Sequence, residues 1–144
     1  MHYLTLALVA VAFYGLVAPL VKMATRQGVP AEAAVVVTNS VLVLMAGLWA
    51  WYRGVSLGAT LTLRTSVPLL LAGVFLGLAI ITYYAALSTG PLSIVVPVYG
   101  LFIVASSVAG VVFFGEALTL SRLLGLACAL AAIYLVSRDS LPGH

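Results

Sequence analysis

The sequence predicts an all-α, polytopic membrane protein with five transmembrane helices. Three observations carry that expectation. Of the 144 residues, 65% are hydrophobic and 6% are charged. A soluble domain carries about 25% charged residues, so this chain cannot cover itself with a water-compatible surface. The mean hydropathy is +1.28. The apolar residues also fall into five stretches of about 20, the length that crosses a bilayer, joined by short polar connections.

The same composition excludes several classes. The net charge of +3 comes from six Lys or Arg and three acids, with no basic cluster, so no nucleic-acid partner is expected. The lone Cys128 excludes a disulfide within one chain and reads as a small packing residue. There is no nucleotide-binding loop, no metal-ligand cluster and no nucleophile–base pair. The two histidines, His2 and His144, stand at the extreme ends. No enzyme activity, cofactor or metal is expected. One domain over residues 1–144 is the expectation for this length.

Span 1 covers about Tyr3 to Ala24. Only His2 precedes the apolar run, and the run is longer than a signal-peptide core, so it is read as a retained span. Pro19 removes a backbone donor and loosens the helix. The polar loop Thr25–Glu32 carries the turn signal Gly28-Val29-Pro30. Pro30 and Glu32 suit the first turn of the next helix. Span 2 covers about Ala33 to Tyr52, with Thr38-Asn39-Ser40 in its first half. Trp49, Trp51 and Tyr52 mark a membrane–water interface, and Arg53 follows as an anchor.

The loop from about Gly54 to Ser66 is the longest polar segment. Span 3 covers about Val67 to Ser88 and holds Gly73 and Gly77 one turn apart. That spacing lets two backbones approach, within a subunit or between two. A Gly90-Pro91 turn leads to span 4, about Leu92 to Phe114. Pro97 breaks its hydrogen-bond ladder and frees a carbonyl. Freed backbone groups are tolerated where they face protein or a water-filled cavity. Span 5 covers about Leu120 to Ser137, and a short polar tail ends the chain.

The order of features from Thr82 to Arg138 resembles the last three helices of the EamA-type repeat of the drug/metabolite transporter superfamily. The residues that carry the resemblance are Tyr83-Tyr84-Ala85-Ala86-Leu87, the Gly90-Pro91 turn, Pro97, and Phe114-Gly115-Glu116-Ala117-Leu118-Thr119 followed by Leu123-Leu124-Gly125-Leu126. The resemblance extends more weakly over the first two spans. It implies membrane transport of a small metabolite, such as an amino acid or related solute. It also implies alternating access across a cavity formed mainly by spans 1, 3 and 4. Two departures stand out. Phe13-Tyr14-Gly15 occupies the place where the family commonly has Trp-Gly, and Asn39 lies where many members carry an Arg.

An odd number of spans puts the ends of the unit on opposite sides. Tandem fusion then inverts the second copy, as in ten-span relatives, and inverted repeats supply the symmetry used in alternating access. A single unit regains that symmetry if two copies pair antiparallel, as in the related small multidrug resistance family. The charges agree. The N-terminal side receives Arg53, Arg64 and Arg122, and the other side receives Lys22, Arg26 and Arg138, three against three. Lys/Arg bias normally sets orientation, and here there is none. The expectation is dual topology and an antiparallel homodimer in membrane lipid, in a prokaryotic inner membrane. The alternatives are a fixed orientation, a subunit of a lipid-linked sugar flippase, or a non-transporting scaffold subunit.

No span has an acid at its centre. Glu32, Glu116 and Asp139 all fall at span ends. Intramembrane carboxylates are the usual proton relays of pumps, so a neutral or zwitterionic solute is expected rather than proton-coupled export of cationic drugs. The candidate substrate-binding residues are Tyr14, Asn39, Tyr83, Tyr99 and Lys22. Lys22 is either an interfacial lysine that snorkels to water or a cationic contact for a substrate anion. Asn39 either bonds a neighbouring helix or lines a cavity. Tyr83 is a cavity or interfacial aromatic, and Tyr99, beside Pro97, is a deeper one. Glu116 is expected to complement the start of span 5 and to pair with Arg122.

Overall fold

The computed structural model describes residues 2–138. Asp139, His144 and the rest of the polar tail lie outside the described residues. Among the described residues the chain is all-helical, without a strand. The helices are α1 (His2–Arg26), α2 (Ala31–Tyr52), α3 (Leu57–Thr60), α4 (Leu63–Thr89), α5 (Leu92–Tyr99), α6 (Phe102–Phe114) and α7 (Leu120–Arg138). Five stretches are long and apolar enough to cross a membrane, with Leu92–Phe114 counted as one. α1 has 25 residues, or about 37 Å at ~1.5 Å per residue. That exceeds the ~30 Å hydrocarbon core.

Three boundaries differ from the sequence reading. α4 starts at Leu63 rather than near Val67, because Thr62 and Thr65 build its entry. The Thr62 N–H donates to Thr65 Oγ1 (2.9 Å), and Ser66 N–H donates to Thr62 O (2.8 Å). Pro68 is the sixth residue of the helix, so the Arg64 carbonyl loses its helical partner there. With the one-turn helix Leu57–Thr60, this shortens the expected long loop. Pro30 is not in the first turn of α2 but is the residue capping it, with extended backbone (φ −59°, ψ 146°). Span 4 is broken into α5 and α6.

The described residues form two compact units that divide between Thr89 and Gly90. In the first, α4 packs against both α2 and α1, and α1 meets α2. The buried residues are Ala18 and Val21 of α1, Ala34 of α2, and Tyr83, Tyr84 and Leu87 of α4. α1 and α4 run one way and α2 the other, so all six lie at one end of the unit, where α1 and α4 finish and α2 begins. Toward the other end the helices carry no buried side chain among the described residues. Small Ala18 and Ala34 permit the close approach there. Apolar contact supplies little net drive inside lipid, so packing and polar cross-links hold this end together.

In the second unit α7 packs chiefly against α5. The break between α5 and α6 follows from two residues. Pro97 has no N–H, so Ser93 O loses its helical partner. The Leu101 N–H then turns to Val98 O (3.1 Å) instead of Pro97 O, and Ile103 and Val104 continue with tight three-residue bonds to Gly100 and Leu101. A Cβ on Gly100 would lie 2.9 Å from Pro97 O, so the turn closes only around glycine.

Candidate functional site

The gathered end of the first unit brings together two of the five candidate residues. Lys22 lies one turn beyond Pro19 on α1, and its ammonium reaches the end of α4. Lys22 Nζ donates to Leu87 O at 2.6 Å and to Ser88 O at 3.3 Å. The last carbonyls of a helix have no intrahelical partner and carry the negative end of its dipole, so a cation there satisfies both needs. Leu87 is fully buried beside it. The cation therefore ties α1 to α4 rather than only reaching toward water.

Tyr83 is buried at the same end, 5% exposed, with its ring 6.1 Å from that of Tyr84. The Tyr84 hydroxyl donates to Thr38 Oγ1 of α2 at 3.2 Å. Thr38 in turn donates to Ala34 O at 2.8 Å, so its lone pairs are free to receive the tyrosine. This α4–α2 link was not anticipated, although Thr38-Asn39-Ser40 in an apolar helix was its visible sign. A Thr38→Val variant keeps the shape and removes the acceptor. It is expected to cost about 0.6 kcal/mol, the average for an interhelical hydrogen bond in lipid, and a denaturation midpoint in bicelles would reveal it. No change, or a loss several times larger, would show that the link is misassigned.

Asn39 is half-buried on α2. Its Nδ2 donates to Val35 O (2.8 Å) in its own helix, so its one bond among the described residues is not to a neighbouring helix. Tyr14 lies two turns deeper than Lys22 on α1 and is 49% exposed. Tyr99 belongs to the second unit. It is half-buried at the end of α5, immediately before the break, with its ring 5.3 Å from that of Phe102. The GxxxG glycines of α4 have no atom within 4 Å of where a Cβ would stand, so the described residues make no close packing on them.

The turn from α6 to α7 matches the sequence reading of Glu116. α6 ends with Gly115 in the left-handed region (φ 65°), and the Glu116 N–H returns to Gly110 O (3.2 Å). The left-handed glycine lets the chain fold back over the last turn of α6. Glu116 Oε2 meets Arg122 Nη1 at 3.3 Å. Thr119 caps α7, its Oγ1 accepting from the Arg122 N–H at 3.3 Å. Among the described residues no group of His, Cys, Asp or Glu could hold a metal ion.

The five apolar spans make this an integral membrane protein. The model of the EamA-like transporter family matches residues 1–138. The chain belongs to that family, whose members are membrane transporters rather than enzymes. No curated protein and no solved structure matches it.

Proposed function

We propose that the chain carries a small neutral or zwitterionic metabolite, such as an amino acid, across a prokaryotic inner membrane by alternating access. It acts as one transmembrane domain over residues 1–144 and pairs with a second, antiparallel copy. The observation that carries this reading is the one-sided burial of the first unit. α1, α2 and α4 are gathered around Tyr83, Tyr84 and Leu87 at one end and carry no buried side chain at the other. A solute path closed at one side and open at the other is what one state of alternating access requires.

Within this reading Tyr14 lies on the uncovered length of α1, half-buried Asn39 stands beside Thr38 on α2, and Tyr83 and Lys22 form the floor. Tyr99, the fifth candidate, belongs to the second unit, at the end of α5 beside the carbonyls released by the break. Lys22 serves a substrate anion only by exchanging the Leu87 and Ser88 carbonyls for it. The absence of an acid from the span centres favours an uncharged or zwitterionic solute over proton-coupled cation export. The even Lys/Arg distribution favours the antiparallel pair.

Topology tests the pair. With Cys128→Ala and a single Gln27→Cys in the exposed α1–α2 loop, an impermeant thiol reagent on intact cells is expected to label about half the molecules, since no charge bias orients the chain. All-or-none labelling rejects the antiparallel homodimer. Transport is tested separately, by exchange of labelled amino acids in proteoliposomes. Exchange that Asn39→Leu and Tyr83→Leu abolish supports the solute reading. A panel of neutral and zwitterionic solutes that all fail to exchange sinks it.

A further inference from the structure

The α6–α7 hairpin holds a second feature, independent of the solute path. α7 packs on α5, and beyond the break α6 parts from it. A cleft of about 330 Å³ lies between α6 and α7. One wall is Ile103, Ser107 and Val111, spaced one turn apart along α6. The opposite wall is hollowed by Gly125 and Ala129 of α7. The Ser107 hydroxyl bonds its own helix at Ile103 O (2.8 Å), so it presents no unmet polar group to the slot. From Ile103 to Val111 the slot runs about 12 Å at ~1.5 Å per residue. That is close to one leaflet's share, about 15 Å, of the hydrocarbon core.

The mouth of the slot is charged. Glu116 and Arg122 line it, between the end of α6 at Phe114 and the start of α7 at Leu120, where the spans leave the membrane. Phe113 and Phe114 beside them are 80% and 81% exposed, as interfacial aromatics are. The ion pair is loose. Its 3.3 Å separation and side-chain exposures of 56% and 57% are those of a pair that adds little stability. Arg122 uses only Nη1, for Glu116 and for Ala117 O at 2.9 Å. Its Nε and Nη2, and Glu116 Oε1, have no hydrogen-bond partner among the described residues. An unmet donor pair therefore stands beside an unmet acceptor, above an apolar slot one leaflet deep.

The geometry points to a phospholipid site. One acyl chain lies in the α6–α7 slot, the phosphate accepts from Arg122, and a headgroup ammonium donates to Glu116. The class selected is a zwitterionic lipid with a primary amine, phosphatidylethanolamine. Phosphatidylcholine has no N–H to give Glu116, and phosphatidylglycerol has no cation. A planar guanidinium is suited to phosphate through its paired donors.

Purified protein in mixed micelles with equal amounts of these three lipids, read by native mass spectrometry, tests the site. Wild type is expected to retain phosphatidylethanolamine over phosphatidylcholine by about tenfold, the scale of one charge-assisted hydrogen bond. Glu116→Gln is expected to erase that preference while retention of phosphatidylglycerol holds. Arg122→Gln is expected to lower retention of all three. Ala129→Leu, which leaves both charges in place and fills the slot, is expected to lower retention without changing the headgroup order. It keeps the proposal open to refutation if Arg122→Gln fails to fold. Retention independent of headgroup in wild type overturns the assignment. So does an Ala129→Leu variant that alters the oligomeric mass but not lipid retention, since a second copy would then occupy the slot.

Discussion

Lys22→Met is expected to lower the unfolding free energy in bilayers by about 1.5–3 kcal/mol, the range for a hydrogen bond with a charged partner. Methionine keeps the length and apolar stem of lysine, so the stem's place beside Leu87 survives. What disappears is the ammonium that meets Leu87 O and Ser88 O. Those carbonyls end α4, and nothing apolar can replace the donor. Lys22→Arg is expected to recover part of the loss, because a guanidinium can also serve two carbonyls. The unfolding midpoint, followed through Trp49 and Trp51, measures both variants. The experiment also separates two roles. A lysine that only contacts substrate would leave the midpoint of Lys22→Met at the wild-type value and raise KM instead.

Gly100→Val is expected to be nearly as damaging. Its Cβ would stand 2.9 Å from Pro97 O, a distance that forces backbone to move. Neither neighbour can yield easily, since Pro97 has a fixed φ and the Gly100 N–H is already bonded to Val96 O at 3.0 Å. Overpacking of this kind costs about 1–3 kcal/mol, and a β-branched side chain adds stiffness. Gly125→Ala on α7 is the control, because nothing lies within 4 Å of its Cβ position. The same thermal measurement compares them. Equal midpoints for Gly100→Val and the control would mean the break does not depend on glycine.

Length and apolar character made the five spans legible, and each starts or ends within a few residues of its helix. The exception at α4 is instructive. Leu63 and Arg64 lie in a stretch that reads as loop, and the helix starts there because Thr62 and Thr65 supply its first hydrogen bonds. Pro97 announced a break in span 4, but the chain turns three residues later, where Gly100 passes the Pro97 carbonyl. Proline removes one donor, while the site of the turn depends on where a side chain collides.

Facing was much less legible. The spans are apolar on all sides, so periodicity does not say which residues point inward. Tyr14 and Tyr83 read alike in the sequence, yet one is half exposed and the other buried. Lys22 was legible as an unusual charge, but the groups that tie it to α4 are backbone carbonyls, which leave no trace in residue identity. The available sign was the antiparallel order of spans, which places the end of span 1 beside the end of span 3 and its helix dipole.

The partner of Lys22 lies 65 residues further along the chain. At about 5–20 residues per second the ribosome needs roughly 3 to 13 s to supply it. During that interval α1 is already made, and its cation has no helix end to meet. Until then water and lipid headgroups can meet the ammonium at the end of its long stem. Assembly of the first unit is therefore timed by synthesis. The Lys22 contact to α4 cannot form before the chain has been made as far as Leu87.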